Sequence, residues 1–205
     1  MIHAIIRQLA LGQMMNFTYL VGREGGAACA VVDPGWEVGA IANAAKAEGW
    51  KIGKILLTHS HFDHAGAVAE LARSTGAGIY VHASEVGEIP KGLEAHPTEE
   101  GAAIDVEGLN VKCMHTPGHT PGSQCFIVDG SIITGDTLFV DGCGRVDLPG
   151  SDPRKMLESL ARLAKLPPAT VIYPGHDYGP APTSTIGEQL KSNPYLSARS
   201  EGMLL

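Results

Sequence analysis

Three histidines and an aspartate stand within six consecutive residues, in the run His59, Ser60, His61, Phe62, Asp63, His64. Imidazole and carboxylate are side chains that hold hydrolytic metal ions, and a catalytic metal keeps one position open for water. An ordinary polar turn draws on Gly, Asn, Asp, Ser and Pro and makes no demand for histidine. The run therefore reads as a metal site. It lies between a short apolar stretch with strand character, 54–57, and a stretch with helical character, 65–74. A strand-to-helix connection is a place where a rigid scaffold presents reactive side chains.

Such a cluster needs partners. His119 lies in a Pro- and Gly-rich loop, 116–122; Asp136 follows an apolar strand within Gly135-Asp136-Thr137; His176 follows another within Pro174-Gly175-His176. Each has glycine beside or next to it, and glycine lets the backbone approach closely. Loops of this kind at one sheet edge can converge on a single cavity. A bound metal lowers the pKa of its water towards about 7, and two metals about 3.5–4 Å apart can share a hydroxide and clamp the reacting centre. That arrangement wants a bridging carboxylate, for which Asp136 is the natural candidate. Seven ligands, one of them shared, supply four contacts to each of two metals, which suits zinc. Histidine, aspartate and water also serve iron and manganese. His3, His96 and His115 read as surface or core groups, and so does His82, which stands nearest to the expected pocket rim.

The elements that must position these residues follow from periodicity. Strands are expected at 2–9, 16–22, 27–32, 54–57 and 79–82, with helices at 38–48 and 65–74 between the later ones. The stretch 84–103 reads as a polar connection or flap. Closely spaced strands follow at 104–106, 109–114, 124–129 and 131–134, then a Gly-rich loop at 142–150. Asp152 before Pro153 reads as the cap of a helix to 165, followed by a strand at 169–173 and a helix at 183–192.

Composition narrows the partners. With 205 residues, 44% hydrophobic and 18% charged, the chain has an ordinary globular make-up. A formal net charge of −7 with few aromatic residues argues against a nucleic-acid or anionic-membrane surface. No signal sequence or membrane-length apolar run is visible, so a cytoplasmic protein is expected. Cys29, Cys113 and Cys125 fall in expected strands and read as reduced core thiols; Cys143, in the Gly-rich loop, is the one with chemical potential.

Taken together, the H-x-H-x-D-H run at 59–64, the His119 loop, Gly-Asp136-Thr and Pro-Gly-His176, in that order, resemble the metallo-β-lactamase superfamily. The resemblance implies an α/β fold, a four-layer αββα sandwich, in one domain over 1–205. It implies that His59, His61 and His119 hold one metal, that Asp63, His64 and His176 hold a second, and that Asp136 bridges. Asp33 resembles the aspartate that orients the histidine loop, although a turn or capping role fits its position equally; Thr58 and Thr137 are further supporting candidates.

Within the superfamily, Gly135-Asp-Thr-Leu-Phe139, the 142–148 loop and the 184–195 stretch resemble short bacterial glyoxalase II-like proteins, the hydroxyacylglutathione hydrolases. The C-terminal helical domain with which full-length members bind glutathione is not expected here. Where those enzymes place a Lys and a Tyr for glutathione, this loop has Arg145 and Asp147, and Arg145 is the candidate for a substrate carboxylate. The resemblance thus implies a hydrolase of small-molecule thioesters acting through a metal-bridging hydroxide, with Asp63 and Asp136 catalytic and two divalent ions, zinc first, as cofactors. Persulfide dioxygenases resemble the same motifs, including the 173–178 stretch, and would use one iron on His59, His119 and Asp136. A non-catalytic metal-binding module is the third reading. The sequence does not set the oligomeric state.

Overall fold

The computed structural model describes residues 3–196. The ends of the expected 1–205 domain, Ile2 of the expected first strand included, lie outside the described residues. A hairpin starts the first sheet: β1 (Ala4–Leu11) pairs antiparallel with β2 (Asn16–Arg23), which pairs antiparallel with β3 (Ala28–Val32). From β3 onward the sheet is parallel, through β4 (Lys51–Leu56), β5 (Gly78–His82) and β6 (Ala95–Thr98). Parallel neighbours need a crossover. α1 (Val38–Ala47) supplies it between β3 and β4, and α2 (Phe62–Ala65) with α3 (Val68–Thr75) supplies it between β4 and β5.

The second sheet begins as an antiparallel meander of β7 (Ala103–Val106), β8 (Leu109–His115), β9 (Gln124–Val128) and β10 (Ser131–Gly135). α4 (Pro153–Leu163) then carries the chain to β11 (Val171–Pro174), which lies parallel to β10, and β12 (Ser184–Thr185) precedes α5 (Ile186–Ser192).

Side-chain alternation sorts the layers. Phe17, Tyr19 and Val21 of β2 share one face and pack with Val111, Cys113, Phe126 and Ile133 of the second sheet, which makes the central core. Leu20, on the opposite face, packs with Ile41 and Ala45 of α1 and Val68, Leu71 and Ala72 of α3. The outer face of the second sheet, through Cys125, Ile132 and Ile172, packs on Met156, Leu160 and Leu163 of α4 and on Ile186 of α5. The apolar positions of α3 and α4 recur at helical spacing, so each helix buries one stripe. Helix, sheet, sheet, helix is the expected αββα order. Asp152 caps α4 by accepting from Arg154 N and Lys155 N, and Thr185 with Glu188 forms a capping box on α5.

Four expectations are corrected. The helix expected at 65–74 is two pieces, because Gly66 lies against the backbone of Gly35 and Ala67 N donates to Pro34 O at 3.0 Å. Asp63 and His64 consequently stand on a short helix and not on an open loop. The stretch 84–103 is no free flap: it holds a 3-10 helix at Ala83–Glu88 and then β6, the edge strand, where Pro97 is tolerated. Residues 184–185 pair with β11 as strand before the last helix starts. His82 does not border the active cavity; its ring stacks on His115 at 4.0 Å between centroids. Among the described residues no helix is long and apolar enough to cross a membrane.

Candidate metal centre

The parallel strands deliver the site. β3 leads to Asp33, β4 to Thr58 and the histidine run, β10 to Asp136 and β11 to His176. The two sheets are stitched at this edge: Gln124 N donates to Thr58 O at 2.9 Å and Phe17 N donates to Gly175 O at 2.8 Å. Two glycines make the approach possible. Gly135 takes a φ of 48° directly against the Thr58 side chain, and a Cβ at Gly175 would lie 2.5 Å from Asp136 Oδ1.

Two triads converge there. His59, His61 and His119 offer ligand atoms within 4.8 Å of one another, and so do Asp63, His64 and His176. His61 Nδ1 lies 2.9 Å from His119 Nε2, and His64 Nε2 lies 3.1 Å from His176 Nε2. Asp136 spans both, with Oδ1 3.2 Å from His64 Nε2 and Oδ2 3.5 Å from His119 Nε2 and 3.4 Å from His176 Nε2. Asp33, His59 and His64 also fall within 4.8 Å, but the Asp33 carboxylate is already engaged. Its Oδ1 accepts from Thr58 N at 2.8 Å, and its Oδ2 accepts from Thr58 Oγ1 at 2.6 Å and from His64 Nδ1 at 3.0 Å.

The outer partners fix which nitrogen carries the proton. His119 Nδ1 donates to Arg145 O at 2.8 Å and His176 Nδ1 donates to Met14 O at 2.8 Å. A carbonyl only accepts, so each Nε2 keeps its lone pair and points it inward. The Thr58 hydroxyl donates to Asp33 and so accepts from His59 Nδ1 at 3.1 Å, which leaves His59 Nε2 unprotonated. Among the described residues, His59 Nε2 and Asp136 Oδ1 are buried without a hydrogen-bond partner. A buried lone pair left unpaired costs about 1–3 kcal/mol. The His119 and His176 lone pairs lie 2.9 Å from His61 Nδ1 and 3.1 Å from His64 Nε2, so the inward nitrogens of each triad crowd one small space.

Electrostatics point the same way. Burial, with His64 next, pushes His59 well below the ordinary histidine range, and burial followed by His119 lowers His61. At His64 burial opposes charge, yet the Asp136 and Asp33 carboxylates outweigh it and hold the pKa well above the ordinary value. Burial likewise opposes ionised Asp136, and His64 outweighs it, so the carboxyl is held well below its usual range. The pocket demands positive charge beside its carboxylates and offers inward lone pairs to receive it. This donor set fits one divalent ion per triad, with Asp136 between them.

All seven expected ligands are brought together, and Asp33 and Thr58 support them from behind. Thr137 Oγ1 lies 2.9 Å from Thr116 Oγ1 and so braces the start of the His119 loop. Arg145 stands on the wall of the cavity described below. Its guanidinium is exposed and held by both Asp147 oxygens at 2.8 Å, while its carbonyl orients His119. Cys143 borders the cavity, but burial pushes its pKa up to about 12, so it stays a thiol.

Three further residues support the site. Asn16 donates through Nδ2 to Asp63 Oδ2 at 3.0 Å and accepts from Trp36 Nε1 at 2.9 Å. Glu85, buried, accepts from the Thr120 hydroxyl and from Gly122 N, and thereby anchors the His119 loop. Tyr178 stacks on His176 at 4.5 Å between centroids. Asn16 and Glu85 carry no signal in the sequence, because they lie far along the chain from the groups they hold, whereas Tyr178 closes the 173–178 stretch singled out there.

A cavity of about 690 Å³ opens onto His61, Asp63, His119, Asp136 and His176.

Comparison with known proteins adds a lineage. The family model described as the Metallo-beta-lactamase superfamily matches residues 11–176. The chain is 32% identical over 184 residues to a probable polyketide biosynthesis zinc-dependent hydrolase, BaeB, of Bacillus velezensis, covering 88% of this chain and 81% of that one. It is 40% identical over 167 residues to a hydroxyacylglutathione hydrolase of Pseudomonas entomophila, covering 80% of this chain and 62% of that longer protein. The crystal structure of TTHA1623 in a di-iron-bound form superposes with a TM-score of 0.79 at 36% identity, over 92% of this chain and 99% of the other.

Proposed function

The chain belongs to the metallo-beta-lactamase superfamily, and we propose that this metal-dependent hydrolase cleaves thioesters of the hydroxyacylglutathione kind. The observation that carries the reading is the pair of triads sharing Asp136 at the floor of a cavity. His59, His61 and His119 would hold one divalent ion; Asp63, His64 and His176 would hold the other. When bound, the ions lower the pKa of water and polarise the substrate carbonyl. Zinc and iron both suit the donor set, as the zinc-dependent and di-iron relatives illustrate.

The chain's own groups do the rest. Asp136 reaches both triads with one carboxylate, so a single side chain sets their separation. Asp63 is pinned by Asn16, which stops its carboxylate from swinging into the cavity. Its negative charge and that of Asp136 stand beside the place where water must lose a proton, which makes both catalytic in this reading. His61 and His119 line the cavity, on the side where a substrate carbonyl would meet the first ion. In the reaction the water oxygen bonds to the acyl carbon and the carbon–sulfur bond breaks. The thiolate takes up the proton, and the products are a carboxylic acid and a thiol.

Metal-replete protein should hydrolyse S-lactoylglutathione, followed by loss of thioester absorbance and release of free thiol. Asp136→Ala should abolish turnover and lower metal content together. Full activity with normal metal content in that variant sinks the assignment. The hydrolase relatives support hydrolysis ahead of oxidation by a single iron. Oxygen uptake on glutathione persulfide by iron-loaded protein, without thioesterase activity, would replace this reading.

A further inference from the structure

The cavity wall beyond the metal cluster is apolar. Met14, Phe62, Phe139, Leu148, Tyr178 and Tyr195 form it. Five large apolar side chains are exposed among the described residues, and Met14, Phe62 and Tyr178 are three of them. Exposed apolar surface is therefore concentrated at this mouth and not scattered, which marks a binding surface. Phe62 is the extreme case, 67% exposed although it sits between two ligand-bearing residues.

The two charged side chains outside the ligand set on the same wall each have a partner. Arg145 is clamped by Asp147, and Asp141 accepts from Gln189 Nε2 at 3.2 Å and from the Ser192 hydroxyl. Outside the ligand set, the wall presents no other charged side chain among the described residues. The wall thus offers one exposed cation, Arg145, against six large apolar side chains. The volume, about 690 Å³, exceeds what a small hydroxyacyl group fills.

From this we propose that the groove from Phe62 to Tyr195 binds an extended, uncharged aliphatic arm of the substrate, so that the enzyme selects medium-chain thioesters over small polar ones. The identity of the scissile bond rests on the thioester reading above; the groove itself does not. Burying aliphatic carbon against such a wall is worth a factor of about four in affinity per methylene.

Two series separate the two ideas. Calorimetry on metal-replete protein with S-ethyl, S-butyl, S-hexyl and S-octyl thioethers of N-acetylcysteamine reads binding without turnover. Affinity should climb by up to about four-fold per methylene buried. Phe62→Ser, at an exposed position where folding is not at stake, should shrink the octyl-to-ethyl ratio several-fold. A flat series, or an unchanged ratio in that variant, overturns the proposal. Acyl thioesters of the same thiol and of glutathione, acetyl to octanoyl, then read turnover. Rising kcat/KM with chain length supports the selectivity, and a preference for lactoyl over octanoyl overturns it. Steep thioether binding with no thioester hydrolysis at all keeps the groove and removes the thioesterase reading.

Discussion

The two sheets contribute to the centre in opposite styles. The first sheet delivers His59, His61, Asp63 and His64 from one continuous segment, and side chains hold that segment: the Asp33 carboxylate grips Thr58 and His64, and Asn16 grips Asp63. The second sheet region delivers His119, Asp136 and His176 from three separate loops. There, backbone carbonyls of Arg145 and Met14 orient the two imidazoles. A segment that brings four ligands at once needs one strong internal brace. Ligands that arrive singly need only local restraints, each small. The first arrangement is vulnerable at one residue and the second spreads its risk.

The contrast predicts a graded series. Asp33→Ala should be the most damaging support substitution, because three hydrogen bonds and the His64 orientation go together. Metal affinity or activity should fall by about 10–100-fold. Metal titration by competition with a chelator reads it, and a fall within twofold would erase the distinction between the halves. Asn16→Ala comes next: Asp63 loses one partner and Trp36 another, an effect on the order of 1–3 kcal/mol. The check is loss of one metal equivalent before the other during chelator titration. Glu85→Gln should follow, weakening the His119 loop by roughly 1 kcal/mol while Thr120 and Gly122 keep an amide oxygen to donate to. Fluorescence-monitored denaturation with and without metal checks that the loss appears mainly in the loaded form. Arg145→Ala should stand last. The carbonyl that holds His119 survives, so metal content should be unchanged, and a marked drop would show that the guanidinium and not the backbone is the brace.

Motif chemistry makes the seven candidate ligands legible in the sequence, because histidine and aspartate beside glycine after apolar strands suit a metal and little else. The layers are legible for a related reason. The alternation of Phe17, Tyr19 and Val21 against Leu20 assigns faces without any knowledge of the partner sheet. What stays hidden depends on contacts between distant segments. The break at Gly66 is set by the Gly35 backbone, and neither sequence stretch alone announces it. β6 is invisible to periodicity because Ala95–Thr98 is four residues long, contains Pro97 and owes its strand form to pairing with β5. Glu85 looks like one more surface carboxylate, and only the fold puts it under the His119 loop. The charge of Arg145 suggests a substrate clamp, and the structure uses its carbonyl.

That last pairing of roles reaches further. Met14 and Arg145 each turn a peptide oxygen to a metal-binding imidazole and a side chain to the substrate cavity. A peptide oxygen is present whatever the residue. Both positions can therefore vary without loosening the candidate metal centre, while the wall that a substrate meets changes one residue at a time. Randomised libraries at these two sites should alter substrate range while metal content stays constant.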